Sequence, residues 1–142
     1  MKTPSLQETL KKIQATSTKE EALKKTYNIL TKKYHGGRLS SWLKFLDLFK
    51  NDPKKIWQRS GFLHCINANK ILREILTKSG KFKKNEIKTK WTLLWYISPH
   101  QYLKVKVEKN KWINIDLWAK KYGVTFGDYA HGFHTKTLDK IK

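Results

Sequence analysis

The chain has 142 residues, 39% hydrophobic and 13% aromatic, with six each of Trp, Tyr and Phe, which is too aromatic for a disordered chain and suits one packed domain. A net charge of +20 excludes an acidic solvating protein, and a single cysteine excludes an internal disulfide or a multi-cysteine zinc site. No apolar run approaches the roughly 18 residues of a membrane span, and MKTPSLQETLKKIQ lacks a signal peptide's apolar core, so a cytoplasmic protein without membrane contact is expected.

In chain order, residues 5 to 14 read as a short helix. Thr18-Lys19-Glu20-Glu21 is a capping box opening a second helix, with Leu23, Tyr27, Leu30 and Tyr34 at helical spacing and Gly36-Gly37 as its stop. Ser40 or Ser41 caps the next, whose stripe includes Trp42, Phe45, Leu46 and Phe49. Asp52-Pro53 reads as an N-cap followed by proline at the first helical position. After Gly61 a further helix carries Cys65 near its start. Its stripe of Ala68, Ile71, Leu72, Ile75 and Leu76 predicts a central, half-buried helix that Gly80 ends.

The second half is strand-like. Trp91 to Ile97 is aromatic and aliphatic, and residues 100–107 alternate, with Leu103, Val105 and Val107 on one face and His100, Tyr102, Lys104 and Lys106 on the other. Residues 111–116 alternate too, and Glu108-Lys109-Asn110 joins the runs as a hairpin. A two-residue loop would pair Val105 with Asn114 and Leu103 with Asp116, mixing polar and apolar side chains. A three-residue loop with Asn110 in the left-handed region pairs Val105 with Ile113 and Leu103 with Ile115, so that register is expected. It sets Tyr102 opposite Asp116 and makes His100 a diagonal neighbour of Asp116 on the same face. Core packing alone therefore brings the imidazole towards the carboxylate.

Cys65 at a helix start, His100 on one strand and Asp116 on the next have the chemistry of a thiol acyl-transfer site. Helix N–H groups favour a thiolate nucleophile, an imidazole moves its proton, and a carboxylate holds the imidazole's tautomer. The plain alternative is a small buried cysteine on an apolar helix and a surface histidine. Trp57-Gln58-Arg59-Ser60-Gly61 leading to Cys65 and its helix, Ser98-Pro99-His100-Gln101-Tyr102-Leu103-Lys104-Val105, and Lys111-Trp112-Ile113-Asn114-Ile115-Asp116 together resemble the transglutaminase-like superfamily of papain-type folds. The resemblance covers residues 22 to 133. It implies an α+β fold, a helical N-terminal half packed on an antiparallel sheet with the Cys65 helix in the middle. It also implies Cys65 as nucleophile, His100 as general base and acid, and Asp116 as the residue orienting the imidazole.

Gln58 and Trp57 are candidates for an oxyanion donor beside the Cys65 backbone N–H, with a surface glutamine and a core tryptophan as the alternatives. His64, Tyr102, Trp112 and His131 are candidates for lining the cleft. Gly123 to His134, with three glycines and two histidines among aromatics, reads as an ordered loop closing over the cleft. Asp128, His131 and His134 fit no zinc signature closely, so no metal and no other cofactor is expected.

The chain reads as one domain, with a core from residue 18 to 134 and residues 1–17 as a helical extension. The expected activity is cysteine-dependent acyl chemistry on a peptide or protein substrate, as a protease or amidase, with a transglutaminase as the alternative. Hydrolysis is favoured because nothing marks an amine-acceptor site. The basic excess is almost all Lys, with only Arg38, Arg59 and Arg73 as arginines, scattered in pairs such as Lys11-Lys12 and Lys83-Lys84. That distribution suits a solvated surface, or nonspecific association with nucleic acid or another polyanion, better than base readout, which favours Arg. The alternative function is an inactive transglutaminase-like scaffold acting as a basic binding module. A third reading has lysines steering an anionic substrate to an enzyme.

Overall fold

The computed structural model describes residues 4–37, 40, 43, 44, 46, 49, 52–94 and 98–130. Ser5 opens α1 (Leu6–Gln14): its hydroxyl accepts the Glu8 N–H, and the Glu8 carboxylate accepts the Ser5 N–H at 2.8 Å. Thr18 caps α2 (Lys19–Lys33) through the Glu21 N–H, while the Glu21 carboxylate reaches past Thr18 to the Ser17 N–H.

Helix α2 stops at Lys33, before the two glycines expected to end it. Tyr34–His35 forms a short strand, β1, parallel to β2 (Gly61–Phe62). Tyr34, expected on the helical stripe, is buried instead in extended backbone, where its hydroxyl donates to the Ile56 carbonyl at 2.7 Å. Strand pairing and this buried hydrogen bond satisfy groups that another helical turn would leave unmatched. Gly36 then passes against the C-terminal part of the chain. A Cβ there would stand 2.3 Å from the Trp118 carbonyl oxygen and 2.4 Å from its ring.

The stripe expected after Ser40 is not a core face where it is described. Leu46 and Phe49 are 62% and 78% exposed, and Trp42 and Phe45 lie outside the described residues. Helical spacing marks a common face, but only a packing partner buries it. Asp52 caps α3 (Pro53–Trp57) through the Lys54 N–H, as Asp-Pro predicts. Helix α4 (Cys65–Lys78) buries every residue of its predicted stripe and is followed by Gly80 in the left-handed region, φ 75°.

A single 3-10 turn, Lys84–Glu86, leads into β3 (Ile87–Leu94), β4 (Ser98–Glu108) and β5 (Lys111–Ile115), an antiparallel sheet in the order β3-β4-β5. Strand β3 begins four residues before the expected Trp91. Its Lys88, Thr89 and Lys90 are polar because β3 is an edge with exposed side chains; residues 95–97 lie outside the described set. Val105 pairs with Ile113 and Leu103 with Ile115, the predicted register. The turn is different: Glu108 pairs with Lys111, so the loop is the two residues Lys109-Asn110, and an irregularity between Lys106 and Glu108 absorbs the offset. A bulge beside a tight turn keeps the apolar face continuous as a three-residue loop would.

Among the described residues the fold is α+β: four helices, the three-stranded antiparallel sheet and the small parallel pair. The main core joins Leu23, Tyr27 and Leu30 of α2, the α4 stripe, and Leu103, Val105, Ile113 and Ile115 of the sheet. Among the described residues no helix is long and apolar enough to cross a membrane. Gly36→Ala forces the β1 backbone away from Trp118, a backbone contact that cannot rotate aside. Destabilisation of about 1–3 kcal/mol is expected, read as a lower midpoint in thermal unfolding.

Candidate functional site

Asp116 follows the last residue of β5 and is buried. One carboxylate oxygen, Oδ1, accepts the Ala119 N–H at 3.1 Å; the other, Oδ2, accepts the Ala130 N–H at 2.9 Å and the His100 Nε2–H at 2.6 Å. The Ala119 contact caps the 3-10 turn Trp118–Tyr122 from three residues upstream. The His100 ring, 2% exposed, lies 5.0 Å from the Trp118 ring, which shields the pair from water. The diagonal placement expected from register is therefore realised as a short, charge-assisted hydrogen bond.

Cys65 is the first residue of α4 and carries a free, half-buried thiol. It packs on a second apolar cluster made by Leu94, Trp118, Ala119, Val124 and Ala130. Asp116 takes Nε2 of the imidazole, so Nδ1 is the nitrogen left for the Cys65 thiol, which lies near enough to help raise the ring's pKa. Four residues along α4, the Asn69 amide donates to the Gln101 carbonyl and side chain at 3.0 and 3.2 Å, fixing the helix start against the strand that carries His100.

Burial by itself would lower the His100 pKa. The Asp116 carboxylate, and behind it the Cys65 thiol, more than reverse that, and it is pushed up from 6.5 to about 10. Burial, with Asp116 nearby, pushes Tyr27 up to about 12; burial, then the neighbouring Tyr129 and more weakly Asp116, pushes Tyr102 up to about 12, so both phenols stay neutral.

The remaining sequence candidates divide. Tyr102 is half-exposed and stacks on Tyr129 at 4.0 Å between ring centroids, two residues from His100. His64 is the N-cap residue of α4 but is turned aside: its Nε2–H donates to the Lys44 carbonyl at 2.6 Å, and its ring meets the edge of Phe62. It places no side-chain hydrogen bond on the first N–H groups of the helix. Trp57 is buried in the main core, and Gln58 is exposed at the end of α3, so the plain readings of both describe their surroundings. Trp112 shares the His100 face but pairs with Lys106, six residues and about 20 Å further along β4. It does not wall the cluster, because the register that aligns the face also sets it at the hairpin end. His131 and His134 lie outside the described residues.

Sequence reasoning missed Trp118 and the Ala119 and Ala130 N–H groups. A weak signal for the first two existed: Asp116 three residues before Ala119 is the spacing of a capping aspartate. Ala130 had none, since a backbone N–H carries no side-chain signature. A concavity of about 410 Å³ between the start of α2 and the end of β4, lined by Thr18, Lys24 and Val107 among others, shares no residue with this cluster.

No protein-family model, curated protein or solved structure matches the chain. The geometry of Cys65, His100 and Asp116 therefore stands by itself.

Because the folded pKa of His100 lies above its ordinary value, its stabilising contribution is complete below about pH 6.5 and disappears as pH rises through about 10. The difference in unfolding midpoint between the wild type and His100→Gln, which cannot titrate, is expected to shrink steadily across that window. A constant difference from pH 6 to 10.5 would show that the imidazole is not held charged.

Proposed function

We propose that this protein carries out cysteine-dependent acyl chemistry on peptide or amide bonds, with Cys65 as nucleophile, His100 as proton carrier and Asp116 as positioning residue. The observation that carries the reading is a buried imidazole hydrogen-bonded to a buried carboxylate, with the thiol at the start of α4 near enough to act on it. We further read the helix-borne Cys, strand-borne His and following Asp as a transglutaminase-like, papain-type arrangement. The α+β architecture and the central position of α4 support that reading.

The chemistry follows from the groups present. Asp116's field keeps His100 protonated, and attack requires the thiol's proton to be lost beside that imidazolium. Thiolate attack on a carbonyl carbon forms the C–S bond and moves charge to oxygen, which the Cys65 N–H at the helix start would receive. Collapse breaks the C–N bond, and the imidazolium proton goes to the departing amine. Neutral imidazole then takes a proton from water, whose oxygen attacks the thioester; the C–S bond breaks and the thiolate returns. Asp116 keeps the ring oriented throughout.

An apolar core can be as stable without such a pair. Replacing a buried ion pair by apolar side chains is often neutral or stabilising, so its presence beside a thiol supports chemistry over scaffolding.

The test is alkylation of Cys65 by iodoacetamide across pH 5 to 10, together with acylation by p-nitrophenyl acetate followed by intact mass. An ordinary thiol, with a pKa of about 8.5, is under about 1% thiolate at pH 6. The wild type is expected to react at pH 6 at least about tenfold faster than His100→Ala and to accumulate an acyl adduct that Cys65→Ala lacks. Equal alkylation rates in the wild type and His100→Ala would overturn the proposal.

A further inference from the structure

The strand that carries His100 also carries a cationic surface. On the same face of the sheet, by register, Lys88 lies directly opposite Lys104, Lys90 opposite Tyr102, and Lys106 opposite Trp112. Like charges set directly across a ladder are destabilising, and here the sheet does so with lysines at both Lys88 and Lys104. Among the described residues none of these four lysines has a carboxylate partner. Glu108 lies beyond them opposite Lys111, and the Asp128 carboxylate accepts the Tyr129 N–H. Two of the four ammonium groups share the Trp112 ring, Lys88 Nζ at 4.7 Å and Lys106 Nζ at 5.9 Å from its centroid.

We infer that this sheet face binds an acidic stretch of the polypeptide substrate and leads it to Cys65; the inference rests on the acyl-chemistry reading for the site it serves. Two observations favour an acidic polypeptide over a nucleic acid. The aromatic faces that would stack bases are occupied, Trp112 by two ammonium groups and Tyr102 by Tyr129. The cations are all lysines, point charges that suit single carboxylates, with no arginine fork among them. Spacing sets where the acidic residues belong. Measured along β4 from His100, the Lys90–Tyr102 rung lies about 7 Å away, Lys104 about 13 Å and Lys106 about 20 Å. An extended substrate therefore meets them with side chains about two to six residues from the bond attacked.

The experiment is fluorescence anisotropy with labelled octaglutamate and, as competitor, an eight-residue oligothymidylate. It uses the full chain as Cys65→Ala at about 0.1 M ionic strength, where charges beyond about 10 Å are screened. Lys88→Gln/Lys104→Gln/Lys106→Gln is expected to weaken octaglutamate binding at least about tenfold, and the corresponding triple Lys→Arg variant to retain it. Lys11→Gln/Lys24→Gln/Lys54→Gln, which removes the same charge from exposed positions elsewhere, is expected to change it less than about twofold. Equal losses in the two glutamine triples would overturn the inference in favour of diffuse attraction. Oligothymidylate displacing octaglutamate at lower concentration, through the same three lysines, would overturn it in favour of a nucleic-acid surface. With Cys65 retained, its alkylation in Lys88→Gln/Lys104→Gln/Lys106→Gln is expected to match the wild type, so failure of the docking surface and failure of the acyl-chemistry reading are separately visible.

Discussion

The hydrogen bond between His100 and Asp116 organises the second half of this molecule. A carboxylate stripped of water is tolerated only when its lone pairs are matched, and Asp116 is matched three times, by the imidazole and by the Ala119 and Ala130 N–H groups. Each match constrains a different stretch of chain. The imidazole fixes the start of β4, the Ala119 N–H sets the 3-10 turn that lays Trp118 over the pair, and the Ala130 N–H draws in a segment fourteen residues downstream. Removing the carboxylate would release all three.

Helix α4 serves the core and the site at once. Its apolar stripe, from Ala68 to Leu76, lies in the main core, while its first residue packs on the smaller cluster around Trp118. Asn69 joins the two regions through its hydrogen bonds to Gln101. The thiol is thus positioned by a regular helix and is only partly buried. The short parallel pair β1–β2 contributes from the other side: the Leu63 N–H donates to the His35 carbonyl just before the helix begins, and Gly36 admits Trp118.

Strand β4 divides its work by parity. Leu103, Val105 and Val107 go to the core, and the alternate residues carry His100, Tyr102, Lys104 and Lys106. A period of two lets one strand stabilise the domain with one face and present polar chemistry on the other. The same parity explains why Trp112 meets lysines instead of the imidazole, since the register places it at the far end of the shared face.

Much of this was legible in the sequence because it depends on local rules. Capping residues at Thr18 and Asp52, the stripe of α4 and the alternation of β4 and β5 each follow from neighbours a few positions apart. The hairpin register followed from requiring one consistent apolar face, and with it came the approach of His100 to Asp116. Other features depended on partners distant in the chain. Tyr34 left its helix to pair with Gly61, and β3 began among lysines because it is an edge. Leu46 and Phe49 kept helical spacing without a surface to cover them. The sequence by itself determined which residues share a face, since side-chain periodicity is a property of the backbone. Only the tertiary structure decided what each face meets: Trp118 beside the imidazole, the Ala130 N–H on the carboxylate and the Asn69 amide on Gln101 are contacts between segments that no local rule connects.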